Sequence, residues 1–102
     1  MEFKELVKKI EKDVDFEKPD FIEDSDSSCS IGFLQLNPTQ RLLFSVQDYR
    51  GKKYFDMRTW YQADSGEWKP TKKGVHLGFE KFEDFSKQFQ LFSSIIPLDA
   101  SE

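Results

Sequence analysis

One cysteine, one histidine and five scattered glycines leave little material for several kinds of chemistry. A lone Cys29 excludes an intramolecular disulfide and suits a reducing compartment. With only His76 to join it, there is no structural zinc set and no convincing nucleophile–base pair. Gly51, Gly66, Gly74 and Gly78 stand apart as turn glycines, not as a loop that cradles phosphate. No apolar run approaches the roughly 20 residues that span a bilayer. The N-terminal MEFKELVKKIEK has no apolar central region, so no signal peptide is expected. The expectation is a soluble non-enzyme with no cofactor and no metal.

What is present is charge, unevenly placed. The net charge of −4 argues at first against an anionic partner. Residues 1–30 hold five lysines against ten acids, whereas residues 41–78 hold eight basic residues against four acids. The local patch matters more than the sum, because charges beyond about 10 Å are screened at ~0.1 M salt. At 102 residues the chain is one domain, at most with tails. A core of about 70 residues is marginal alone, so burial in a dimer interface would help.

The basic stretch runs from Leu42 to Leu77 and divides into three runs. Asp48-Tyr49-Arg50-Gly51 separates the first from the second, and Gly51 can supply the positive φ of a tight hairpin. Asp64-Ser65-Gly66 separates the second from the third. Leu42, Phe44 and Val46 share one face by alternation. Phe55, Met57, Thr59 and Tyr61 share one face of the second run, and Tyr54, Asp56, Arg58 and Trp60 the other. Pro70 makes the third run an edge strand, or one that becomes regular only after Gly74. Upstream, Ser30–Leu36 reads as a strand and Asn37-Pro38-Thr39 as a turn. That strand is either an extension of the next one or the first arm of a hairpin, the reading preferred here.

Helices bracket this unit. Phe3, Leu6, Val7, Ile10 and Val14 form one stripe, so residues 3–14 are expected to be helical. The stripe docks on the chain's own domain or on a partner; the first is preferred. Phe79, Phe82, Phe85, Phe89 and Phe92 step by three or four, continued by Ile95 and Ile96. Glu80, Glu83 and Asp84 suit the start of that helix, and Pro97 stops it. The ring stripe reads as core and dimer interface. Between the first helix and the strands, Asp15–Ser30 is acidic and serine-rich: a solvated linker, or an acidic arm that competes for the basic sheet. The expected layout is an N-terminal helix over 1–14, an acidic linker over 15–29, the main domain over 30–97 and a tail over 98–102.

The blocks SVQDYRGK, DMRTWY and GEWKPTKKGVHL together resemble the C-terminal domain of the transcriptional coactivator positive cofactor four, a family that binds single-stranded DNA. The resemblance covers about Leu42 to Ile96. It implies an α+β fold: a curved antiparallel four-stranded sheet (ββββα) with a C-terminal amphipathic helix. It also implies a homodimer, with single-stranded nucleic acid lying across open sheet surfaces. Carried over, Tyr49 takes the aromatic turn position, and Arg50 and Lys52 flank Gly51. Arg58 is the strand arginine, and Trp60 and Tyr61 are the aromatic pair. Lys69 precedes the proline, and Lys72 and Lys73 precede Gly74. Arg41 stands one place before the position where the family carries a basic residue. Gln47 replaces another basic residue, and Gly78-Phe79 replaces the family's usual Asn-Pro helix start.

The candidate interface is therefore Arg41, Tyr49, Arg50, Lys52, Arg58, Trp60, Tyr61, Lys69, Lys72 and Lys73. Lysines and arginines track phosphates, and rings stack on unpaired bases at about 1–3 kcal/mol each. Trp60 and Tyr61 are neighbours in a strand and point opposite ways; Arg58 shares the Trp60 face and favours Trp60. Asp56 reads as a local partner of Arg58, and His76 as a surface histidine near the same face. The expectation is a nucleic-acid-binding protein, cytoplasmic and nucleoid-associated in a bacterium or nuclear in a eukaryote, whose partners are single-stranded DNA or RNA, a second copy and the transcription machinery. The competing expectation is a protein-interaction module that uses the two helices.

Overall fold

Turn chemistry builds the sheet. The computed structural model describes residues 2–14 and 19–97. Arg50 and Gly51 both take positive φ, 53° and 81°, the signature of a two-residue type I′ hairpin whose twist matches that of its strands. The Gly51 N–H donates to Asp48 Oδ1 at 3.0 Å and closes the turn. Asn37 shapes the preceding turn, its Oδ1 accepting the Thr39 N–H at 3.0 Å. Gly66, at φ 90°, makes the third turn possible.

These turns join four antiparallel strands, β1 (Ser28–Asn37), β2 (Gln40–Tyr49), β3 (Lys52–Gln62) and β4 (Trp68–Gly78), in sequence order across one sheet. Ser30–Leu36 thus belongs to the first arm of a hairpin, as expected, and β4 with Pro70 is an edge strand. Two of the three pairings contain irregularities. β1 shifts register between Ser30 and Gly32 and again near Asn37. In β4, residues 71–73 lie opposite Thr59 alone, between the pairs Arg58–Gly74 and Trp60–Pro70. Gly74 is required there, because a Cβ would run into the Met57 carbonyl.

Register sorts the side chains by face. Directly paired residues in antiparallel strands share a face, so the pairs Val46–Phe55, Phe44–Met57 and Leu42–Thr59 form one apolar side. Both helices lie on it. Helix α1 (Phe3–Asp13) buries Phe3 and Ile10 against Cys29 and Val46, with Leu6, Val7 and Ile31 around them. A helix of 11 residues is marginal by itself, so this packing is what sustains it. A short 3₁₀ turn, Phe79–Lys81, leads into α2 (Phe82–Ile95). Phe82 and Phe85 meet Phe55 edge-on, with centroids 5.5 and 5.3 Å apart. The rest of the stripe is not core within one chain: Phe89 and Phe92 are exposed, and Ile95 is 75% exposed.

The acidic segment divides. Residues 15–18, like the expected tail over 98–102, lie outside the described residues. From Pro19 onward the chain is held on the sheet: Pro19 is buried, and Asp24 Oδ1 accepts from the Ser30 N–H at 2.9 Å and from its hydroxyl at 3.0 Å. The first strand begins at Ser28, two residues before the expected start.

Candidate nucleic-acid interface

The face opposite the helices carries a stripe along β3: Lys52, Tyr54, Asp56, Arg58 and Trp60 alternate with the apolar residues below. On β2 it is flanked by Tyr49, Gln47, Ser45, Leu43 and Arg41, which pair in turn with those five residues. On β4 it is flanked by Gly78, His76, Gly74 and Pro70. No helix among the described residues covers this side.

Asp56 is the anchor of the stripe. It is 4% exposed. Its Oδ1 receives Arg58 Nη2 at 3.0 Å and contacts His76 Nδ1 at 3.0 Å. A buried carboxylate needs such partners, since burial without them costs several kcal/mol. Arg58 Nη1 donates to the Thr71 carbonyl at 3.1 Å, and the Thr71 hydroxyl donates to the Thr59 carbonyl at 2.8 Å. The β4 bulge is thereby stitched to β3, and the guanidinium is held by both terminal nitrogens. Two of its five N–H donors are used in these bonds, which leaves the others available to a ligand. Tyr54 stacks on His76, with centroids 4.6 Å apart and planes 18° apart.

The hairpin end is more open. Tyr49 is 61% exposed, with the Arg50 guanidinium 5.1 Å from its ring centre. Lys52 Nζ lies 3.1 Å from Glu80 Oε1. The hydrogen bond to Glu80 raises the Lys52 pKa. A backbone hydrogen bond at Glu80 itself, and then Lys52, hold the Glu80 carboxyl below the usual carboxylate range.

The other end is packed by the chain itself. The Phe21 ring meets Phe33, Trp60 and Trp68 at 5.4, 5.6 and 5.6 Å. The Arg41 guanidinium lies 4.0 Å from the Trp68 centroid, 4.7 Å from Phe21 and 4.9 Å from Phe33, and Arg41 Nε donates to Gln35 Oε1 at 2.8 Å. Arg41 is thus stacked among rings, and Trp60 is half-buried beneath Phe21.

The structure brings Arg41, Tyr49, Lys52, Arg58 and Trp60 onto one face, with Arg50 at its hairpin tip. It does not bring Tyr61 and Lys69 there. They pair with each other one residue past Trp60–Pro70, so strict alternation puts them on the helix side. A single open bed holding Arg58 and Lys69 together is not what the register gives. Lys72 and Lys73 fall in the bulge, both exposed, where pairing assigns them to neither face. Sequence reasoning put Tyr54 on this face by its alternation with Asp56 and Arg58 but left it out of the candidate interface. It also missed the Phe21–Phe33–Trp68 cluster, for which only an apolar residue in an acidic run gave a sign.

Among the described residues there is no group of three or more His, Cys, Asp or Glu able to hold a metal ion. No described helix is long and apolar enough to cross a membrane.

Known proteins share this arrangement. A PC4 homolog from Burkholderia pseudomallei, in an orthorhombic crystal form, superposes with a TM-score of 0.61 at 28% identity, covering 72% of this chain and 100% of that one. Its tetragonal form gives 0.60 at 30% identity over 66% of this chain and 98% of that one. The bacteriophage T5 homolog of the eukaryotic transcription coactivator PC4, implicated in recombination-dependent DNA replication, gives 0.51 at 29% identity, covering 67% of this chain and 75% of that one. The family model described as Transcriptional Coactivator p15 (PC4) matches residues 36–88, from the end of β1 through the three strands that carry the stripe into α2. With sequence blocks, strand order and helix placement in agreement, the chain belongs to the Transcriptional Coactivator p15 (PC4) family.

Proposed function

We propose that the protein binds single-stranded nucleic acid on the face of the sheet opposite the helices, without catalysis, and acts in transcription or on melted DNA. One observation carries this reading: cations and rings alternate on an uncovered sheet face, in a chain of this family. Lys52, Arg50 and Arg58 are placed to meet phosphates. Tyr49 is the most exposed ring of that side and the first candidate for stacking. Trp60 and Arg41 serve the packed end of the face instead. Lys72 and Lys73 extend the cationic path along the β4 edge. Stacking is tolerant of base identity, so overall base preference is weak.

The same reading includes a homodimer. Phe82, Phe89, Leu91, Phe92, Ile95 and Ile96 on and after α2 are all more than half exposed in one chain. A continuous apolar helix face of this kind marks an interaction surface. A second copy, related by twofold symmetry, buries it against itself. That row is also the observation that favours a protein-interaction module, but such a module would make no use of the cationic face.

Fluorescence anisotropy with labelled oligo-dT separates the two. Binding at micromolar concentration or tighter, weakened by salt and lost in a Lys52→Ala/Arg58→Ala variant, is the expected result. Absence of binding to the intact protein would leave the interaction module standing.

A further inference from the structure

The Tyr54–His76–Asp56 cluster lies in the middle of the proposed face, and neither phosphate contact nor stacking on Tyr49 accounts for it. The Asp56 carboxylate only accepts hydrogen bonds. Its Oδ1 already takes a hydrogen from Arg58 at 3.0 Å, so the 3.0 Å contact to His76 carries its hydrogen on Nδ1. A neutral imidazole protonated at Nδ1 presents a lone pair at Nε2. The stacked Tyr54 ring, 4.6 Å away, holds the imidazole plane. The His76 side chain is 41% exposed, and Nε2 has no hydrogen-bond partner among the described residues.

An exposed acceptor here is chemically out of place for phosphate. The cations of this face, Arg50, Lys52 and Arg58, are all donors, which suits phosphate oxygens, whereas Nε2 offers them nothing. It suits an N–H. In nucleic acid the matching groups are the imino and amino hydrogens of the Watson–Crick edge, which pairing consumes in a duplex and leaves free in a single strand. We infer that His76 Nε2 accepts a hydrogen from the Watson–Crick edge of an unpaired base, with Asp56 and Tyr54 as positioning residues that set its tautomer and plane. The inference rests on the single-strand reading above and adds to it a device that selects unpaired bases.

The test compares two labelled probes, a short oligothymidylate and the same strand with every thymine methylated at N3. Methylation removes the imino hydrogen and keeps phosphates and ring faces. The intact protein is expected to prefer the unmodified strand about fivefold, the effect of one net hydrogen bond. In His76→Phe, which keeps a ring against Tyr54 but has no acceptor, that ratio falls to one. Any change in phosphate contacts affects both probes and cancels in the ratio. A ratio of one in the intact protein, or a preference that persists in His76→Phe, overturns the inference while leaving single-strand binding intact. Failure of both probes to bind the intact protein overturns the single-strand reading itself, and this inference with it. Imidazole nitrogen NMR of the intact protein gives a check that needs no variant. Nδ1 is expected to be protonated, and Nε2 to shift with the unmodified strand only; the opposite tautomer overturns the assignment.

Discussion

Two lysines of the same basic stretch lie on opposite sides of the sheet, and that separation can be measured. Lys52 is in line with Arg58 on the open face, whereas Lys69 pairs with Tyr61 on the helix side. If nucleic acid runs along the open face, Arg50, Lys52, Arg58 and one lysine of the β4 bulge neutralise about four phosphates per protomer. Each neutralised phosphate contributes about 0.7 to the salt slope on a single strand, so log affinity falls with log salt at a slope near −3. Between about 50 and 200 mM salt, affinity then drops about fiftyfold. Lys52→Ala should remove one contact, bringing the slope near −2 and the drop to about twentyfold. Lys69→Ala should leave the slope as it is. The assay is anisotropy with oligo-dT at several salt concentrations, read as slopes and not as single affinities. Any cation alters affinity at one salt concentration through its field; only a contacting one alters the number of counterions released. A slope reduced by Lys69→Ala and untouched by Lys52→Ala would place the strand on the other face and refute the register argument.

Three further outcomes follow from particular contacts. Phe21→Ala removes the ring wedged against Trp60 and Trp68; a loss of about 2 kcal/mol in urea unfolding is expected, below the full cost of truncating a buried Phe because the site is half-open. Tryptophan emission should shift to the red, and unchanged emission would contradict the packing. The Lys52–Glu80 pair predicts a pH dependence with a definite sign. Glu80, lowered in the fold, stabilises above its unfolded pKa, and that contribution is lost as pH falls through the lowered folded value; Lys52, raised in the fold, contributes below its unfolded pKa and loses this as pH rises through the raised value. Glu80→Gln should therefore flatten the acid side of a urea-midpoint profile, and an identical profile would mean that the pair does not persist in solution. Ile95→Asp, at the most exposed apolar residue of α2, should convert a dimer to monomer in sedimentation equilibrium with secondary structure retained; a dimer that survives it has its interface elsewhere.

The strands and turns were legible because their signals are local. Alternation at Tyr54, Asp56, Arg58 and Trp60 needs only seven successive residues, and the Arg50-Gly51 turn needs two. The Phe stripe of α2 was equally local, and its assignment to both core and interface divides at Phe85, with Phe82 in contact with Phe55 and still half exposed. What alternation could not carry across was the register of β4. The bulge sets residues 71–73 against Thr59, two more than a regular ladder holds, so partners counted from Gly74 are displaced by two beyond it, while the alternation of faces is kept. The family resemblance, not alternation, groups Lys69 with Arg58, and the register separates them. The pairing of His76 with Asp56, 20 positions apart, lies in the regular part of the ladder; it is hidden because it depends on which residues of two strands meet.

The Phe21 contact is a harder case, because nothing periodic announces it. A single aromatic in an acidic run reads as incidental until a cluster of rings is seen to need a cover. Trp60, Trp68 and Phe33 sit at one end of a face that no described helix covers, and exposed to water they would be costly. Phe21 closes them, and Arg41 stacks on three of the rings. This divides the face by physics into two halves. One half satisfies its own rings and holds its cation among them, so it has little left to give a ligand. The other half, from Arg58 to Tyr49, keeps guanidinium donors unused and rings open. An aromatic–basic composition alone cannot tell those halves apart. Whether a ring or a cation is available to a ligand depends on which of its neighbours has already taken it.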